Sequence, residues 1–87
     1  MLKRNFVEKD LRRVLSEHGF GSTVWAPLAG GLLTGKYNDG VKVEDGRFTT
    51  WNASWMDSFW TAMTTEENLA KFRKLEAYAK ELGYTQA

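Results

Sequence analysis

Eighty-seven residues suffice for one small domain and no more, and a domain of that length buries a modest share of its surface and is marginally stable. A composition that is 43% hydrophobic and 26% charged is globular rather than disordered, and a net charge of +1 provides no global field to draw in nucleic acid or an anionic bilayer. The lack of cysteine excludes disulfides and thiolate metal sites and is compatible with a reducing cytoplasm.

Met1–Asn5 has no apolar run behind its charges, so no secretory signal is expected there. The longest weakly polar run, Val24 to Leu33, is broken by Pro27, Gly30 and Gly31 and is too short to span a bilayer as a helix, which takes about 20 residues. The first predicted element is a helix. Asn5 followed by Glu8 has capping-box spacing, with Asn substituting for Ser or Thr. Leu11, Val14, Leu15 and His18 fall at i, i+3, i+4 and i+7, one helical face, with Arg12, Arg13 and Glu17 off that stripe. Gly19 and Gly21 offer the stop. His18 reads as a helix-terminal or core residue, since no second metal ligand accompanies it. Lys3, Arg4, Arg12 and Arg13 read as a solvated helix face in preference to a docking patch.

A strand is predicted next. Ser22-Thr23-Val24-Trp25-Ala26 is short, β-prone and uncharged, which suits a strand buried on both faces in a parallel sheet. Pro27 ends it, because proline cannot donate to a ladder. A glycine loop follows, then the turn signal Asn38-Asp39-Gly40. The remainder reads as helical. Trp51 to Trp60 suggests a short helix with a broad apolar face, Trp51, Trp55 and Phe59 in one row and Met56, Trp60 and Met63 in another. This cluster suits packing against neighbouring elements, with an exposed partner surface as the alternative. Thr64-Thr65-Glu66-Glu67 is a capping box with acids where the helix dipole favours them. Leu69, Phe72, Leu75, Ala79 and Leu82 then form an apolar stripe that Gly83 ends.

The loop Gly30-Gly31-Leu32-Leu33-Thr34-Gly35-Lys36-Tyr37 matches the triphosphate-binding pattern G-x-x-x-x-G-K at all places but the last. That pattern needs a Ser or Thr hydroxyl on magnesium after the lysine and a helix starting directly behind it. Tyr37 cannot supply the first, and Asn38-Asp39-Gly40 turns the chain where the helix should begin. A triphosphate site is therefore set aside.

The wider string Val24-Trp25-Ala26-Pro27-Leu28-Ala29-Gly30-Gly31-Leu32-Leu33-Thr34-Gly35-Lys36-Tyr37 strongly resembles the seventh strand and following loop of the aldo-keto reductases. It is most similar to the branch holding voltage-gated potassium channel beta subunits and their microbial and fungal relatives. Ala26 stands where serine is usual. Arg47-Phe48 resembles the Ser-Arg-Phe that closes the same loop, with Gly46 replacing the serine, and Val43-Glu44-Asp45 departs from the family pattern. Met1 to Phe6 resembles the segment after the sixth strand, and Leu75 to Ala87 the helix and turn leading toward the eighth.

The resemblance implies an α/β fold, a fragment of a (β/α)8 TIM barrel comprising helix, strand seven, cofactor loop and helices across 1–87, mostly helical if isolated. Such a barrel takes about 250 residues, so a compact helical arrangement with residues 22–27 extended but poorly paired is expected of the chain alone. The implied cofactor is NADP(H), with Trp25, Ala26, Pro27, Leu28, Ala29 and Gly30 lining it, Lys36 meeting a phosphate and Arg47 the 2′-phosphate end. The chemistry agrees: glycines admit an anion to the backbone, lysine is a point charge, and arginine is a planar fork for phosphate.

The family reduces carbonyls with an Asp, Tyr, Lys and His set from the first half of the barrel, and no such set is present here. No catalytic residue and no metal ligand is assigned, and activity of this chain alone is not expected. The implied partners are the remainder of the barrel or another subunit. A membrane channel is the partner if the chain acts as a cytoplasmic beta-subunit-like module. A truncated, non-catalytic gene product is the third alternative. Neither nucleic acid binding nor direct membrane insertion is expected.

Overall fold

A computed structural model describes residues 4–51 and 53–87. The resemblance drawn for Met1–Phe6, the basic character of Lys3 and the place of Asn52 in the tryptophan-rich stretch therefore fall wholly or partly outside the described residues. Among the described residues the chain is helical and contains no strand.

The first helical segment begins with a wide π-type turn over Phe6–Leu11 and continues as α1, Arg12–His18. Asn5 does not cap it. Its backbone is already helical (φ −58°, ψ −38°) and its side chain makes no cap bond, whereas an N-cap needs an extended backbone. The stop is as expected, with Gly19 left-handed at φ 65°. The stripe finds little to bury against: Leu11 and Leu15 are half-buried, and Phe6, Val7 and Val14 are exposed. The basic side chains are solvated, with Arg4–Glu8 at 2.6 Å and Arg13–Glu17 at 2.8 Å as one-turn ion pairs.

The predicted strand over Ser22–Ala26 does not form. Residues 19–24 are irregular, Val24 and Trp25 are 74% and 85% exposed, and Ala26 leaves the extended region altogether at φ 49°. A strand requires at least one partner strand to form a ladder, and no other strand occurs among the described residues. The expected compactness is also only partial. The radius of gyration is 15.1 Å, against about 12 Å for a compact chain of this length, because residues 4–25 contribute no buried side chain.

The core lies downstream. Leu32, Leu33, Tyr37, Phe48, Met56, Leu69 and Phe72 are buried together, with Ala29, Val43, Ala53, Phe59, Trp60, Met63 and Leu75 packed around them. They come from a 3₁₀ turn over Ala29–Thr34, the short α2 (Arg47–Thr50), α3 (Ser54–Met63) and α4 (Glu66–Glu81). In α3 the row Met56, Trp60 and Met63 faces inward. Trp51 stands before the helix with an extended backbone (φ −93°, ψ 97°), so the predicted row of Trp51, Trp55 and Phe59 is not a single helical row.

At the start of α4 the two threonines divide the work. Thr65 is the N-cap and accepts from the Asn68 N–H at 3.4 Å, while the Thr64 hydroxyl donates to the Trp60 carbonyl at 2.8 Å and finishes α3. The expected box is thus a simple cap, since position N3 is Asn68 rather than an acid. Leu69 and Phe72 are buried, Leu75 and Ala79 half-buried, and Leu82 exposed. The end is a Schellman motif: Tyr84 N–H donates to the Ala79 carbonyl (2.9 Å) and Gly83 N–H to that of Lys80 (3.1 Å). No described helix is long and apolar enough to cross a membrane.

Candidate cofactor site at the glycine loop

The loop begins with two alanines in the left-handed region, Ala26 at φ 49° and Ala29 at φ 51°, joined by a bond from Ala29 N–H to the Ala26 carbonyl at 2.8 Å. Left-handed backbone at a residue with a Cβ costs about 1–2 kcal/mol, and such strain gathers at functional sites. Gly30 and Gly31 continue at φ 68° and 102°, a run that residues with side chains resist. Their neighbours are close as well. A Cβ on Gly30 would stand 2.9 Å from Phe48 Cζ, and one on Gly31 2.7 Å from Lys36 Cε. In this conformation Gly31 and Leu33 direct their N–H groups to the Leu28 carbonyl, at 2.9 and 3.2 Å, and the Thr34 hydroxyl donates to the Gly31 carbonyl at 2.7 Å.

Leu32 and Leu33 pin the loop into the core. Beyond Gly35, consecutive side chains part: Lys36 is exposed and Tyr37 fully buried. The Lys36 ammonium lies 5.1 Å from the Tyr37 ring centre, a cation–π contact. The Tyr37 ring is met edge-on by Phe48 (5.5 Å, 76°) and Trp60 (5.2 Å, 83°). This geometry gives the residue that spoils the triphosphate pattern a different role, as the centre of the aromatic core. Its hydroxyl is buried and makes no hydrogen bond among the described residues.

Phe48 connects the two cationic positions. Its ring touches the glycine turn at Gly30 and the Tyr37 ring, which places α2, and with it Arg47, against the loop that carries Lys36. The Arg47 guanidinium carbon is 4.4 Å from the centre of the Trp51 ring. Neither Lys36 nor Arg47 forms an ion pair among the described residues, whereas Lys42, Lys71, Arg73 and Lys80 do. The expected site residues thus fall into two groups. Ala29, Gly30 and Lys36 stand against the core that holds the Tyr37–Phe48 pair, and Arg47 directly precedes Phe48 with its guanidinium over Trp51. Trp25, Ala26, Pro27 and Leu28 precede the turn and are exposed to solvent. His18 is exposed at the end of α1, its ring 6.3 Å from Phe20, and no group of three or more metal-binding side chains occurs among the described residues.

One residue next to the site was visible only as part of a turn. Asn38 is buried, and its side-chain amide N–H groups donate to Glu76 Oε2 (2.8 Å) and Gln86 Oε1 (3.1 Å), while its main-chain carbonyl accepts from Arg73 Nε (3.1 Å). The end of the glycine loop is thereby fastened to α4 and the C-terminal tail. A concavity of about 370 Å³ opens beside this fastening, lined by Thr34, Gly35, Glu76, Lys80, Tyr84 and Gln86 among others. Hydrogen bonds from Lys80 and then Asn38, with the Lys80 charge, hold the Glu76 carboxyl below its ordinary range. The Asn-Asp-Gly motif signals only the turn; these partners are 35 to 48 residues away in sequence.

Comparison with known proteins bears on the same string. The model of the aldo/keto reductase family matches residues 1–87. A probable voltage-gated potassium channel subunit beta of Arabidopsis thaliana is 38% identical over 87 residues, covering 100% of this chain and 26% of that protein. A putative voltage-gated potassium channel subunit beta of Schizosaccharomyces pombe is 38% identical over 84 residues, covering 97% of this chain and 24% of the relative. An L-glyceraldehyde 3-phosphate reductase of Escherichia coli O157:H7 is 34% identical over 87 residues, covering 100% and 25%. No solved structure matches. The chain spans about a quarter of the length of the curated relatives it matches. Since the match extends from the first residue to the last, beyond the glycine loop on both sides, the chain belongs to the aldo/keto reductase family.

Proposed function

We propose that the chain is a segment of an NADP(H)-dependent aldo-keto reductase, a carbonyl/alcohol oxidoreductase, to which it contributes the loop that holds the cofactor pyrophosphate. The observation that carries this reading is that the glycine loop bearing Lys36 and the short helix bearing Arg47 pack together through Tyr37 and Phe48, with neither cation in an ion pair among the described residues. Lys36 meets a phosphate as a point charge, and Arg47 takes the 2′-phosphate with its planar fork. Gly30 lets the backbone come close, and Trp25 to Ala29 line the carrier once the segment before the turn is held by neighbouring strands. The hydride chemistry belongs to the cofactor and the proton chemistry to residues outside this segment. The family assignment supports the reading, as does the relative named as a reductase.

The chain supplies part of a site, so NADPH binds it weakly or not at all and binds the full barrel well. In the full barrel, Lys36→Ala and Arg47→Ala each raise the dissociation constant of NADPH, measured by quenching of tryptophan fluorescence. Unchanged constants in both variants count against the reading.

A second reading has its own support in the relatives named as voltage-gated potassium channel beta subunits. Under it the segment belongs to a cytoplasmic partner of a membrane channel, and the exposed indoles of Trp51 and Trp55 face that partner. Sedimentation separates the two: a monodisperse oligomer or stable hetero-complex favours the subunit, and a weakly structured monomer does not.

A further inference from the structure

Arg47 is held where a surface arginine is ordinarily loose. Its guanidinium lies over the Trp51 indole at 4.4 Å, and the Trp51 main-chain N–H donates to the Arg47 carbonyl at 3.1 Å, so the same residue grips its side chain and its backbone. Trp55 meets Trp51 edge-on from the other helix (5.6 Å, 79°) and limits the freedom of the indole. Both indoles remain half-exposed, at 45% and 50%, so this stack is not part of the core. A guanidinium that uses its face on an aromatic ring keeps its N–H edge for an anion, and Arg47 makes no ion pair among the described residues.

We propose that Trp51 is a positioning residue that presents Arg47 to a phosphate ester of the bound dinucleotide, and so helps the site prefer a 2′-phosphorylated adenosine over the unphosphorylated one. The proposal rests on the reading of the glycine loop as a dinucleotide site. Trp51 itself touches no phosphate; it fixes the fork that does. Its contribution follows from the contact. An exposed cation–π pair of about 0.5–1 kcal/mol converts to about a two- to fivefold change in a dissociation constant.

The test uses the full barrel, isotopically labelled, with adenosine 2′,5′-bisphosphate and adenosine 5′-monophosphate as probes followed by nuclear magnetic resonance shifts. The Arg47 Hε resonance reports the indole directly through its ring current. Trp51→Leu is expected to return that resonance to its ordinary position and to weaken bisphosphate binding about two- to fivefold with monophosphate binding unchanged. Trp51→Phe, which keeps a π-face and guards against a folding defect, is expected to retain most of the preference. If Arg47→Ala loses the preference but Trp51→Leu keeps it, the positioning role is overturned and the dinucleotide reading stands. If the unaltered barrel shifts with neither probe, or Lys36→Ala and Arg47→Ala both bind like the unaltered barrel, the underlying reading falls and the inference with it.

Discussion

Gly46 and Tyr37 are coupled across the loop, and a double-mutant cycle measures by how much. An added Cβ at Gly46 overlaps the Tyr37 hydroxyl oxygen and lies 2.8 Å from Val43 Cγ2 and 3.0 Å from the Val43 carbonyl oxygen. Gly46 itself has an ordinary extended backbone (φ −79°, ψ 151°), so the conflict is one of space alone. Crowding a packed core costs about 1–3 kcal/mol, and that is the expected loss for Gly46→Ala. Tyr37→Phe deletes the overlapped atom, a buried hydroxyl without a partner among the described residues. Leaving a polar group so placed costs about 1–3 kcal/mol, so this variant is expected to be neutral or more stable. In the Tyr37→Phe background Gly46→Ala should cost less by at least about 0.5 kcal/mol, the scale of coupling between touching residues. Val43 keeps the remainder of the cost in place. Urea unfolding of the four proteins, followed by tryptophan fluorescence with slopes held common, gives the cycle. Equal costs in the two backgrounds, within about 0.3 kcal/mol, would show that the hydroxyl is not what excludes a side chain from position 46.

Three further predictions concern the loop and its fastening. Ala26→Gly should raise stability by up to about 1 kcal/mol, because relief of a left-handed alanine, about 1–2 kcal/mol, exceeds the added unfolded-state entropy, about 0.4–1 kcal/mol; a lower urea midpoint would refute it. Asn38→Leu removes the bonds to Glu76 and Gln86 and leaves both half-buried acceptors without this donor, so a loss of about 1–3 kcal/mol is expected in the same assay, together with faster amide exchange at Gly35 and Lys36; unchanged exchange would show that Asn38 does not hold the loop. Glu76 titrates below the ordinary carboxyl value of 4.5, so its folded form binds the proton less readily than the unfolded one. Its contribution is complete above about pH 4.5 and declines as the pH falls through the lower folded value. The thermal midpoint of Glu76→Gln should therefore fall less on acidification than that of the unaltered chain, and parallel declines would exclude the linkage.

What the sequence discloses depends on whether the deciding contact is local. The ends of α4 are local: a threonine before two acids, and Gly83 where the stripe runs out, place both correctly, though only the structure shows that Thr65 caps and Thr64 closes α3. Asn5–Glu8 has the same spacing but no capping geometry, since spacing does not specify the backbone angles before a helix. The strand over Ser22–Ala26 fails for another reason. Its propensity is genuine, but a strand is a relation between segments, and the described residues contain no second one. In the candidate site, Lys36 and Arg47 are legible through the resemblance, and the Arg47–Trp51 contact could have been found from its i, i+4 spacing. Asn38 could not, because its partners are remote and its neighbours spell only a turn. The burial of Tyr37 beside an exposed lysine was likewise hidden, as it depends on Phe48 and Trp60 arriving from separate helices.

The exposed stretch ahead of the glycine turn has a consequence for handling the polypeptide. Phe20 and Trp25, 63% and 85% accessible, are open to chymotrypsin, while Tyr37, Phe48 and Phe72 are sealed. Brief digestion should therefore shear away the amphipathic arm and trim the tail at the equally open Tyr84 before the remainder, which keeps Lys36, is cut at its less accessible Trp51 and Trp55.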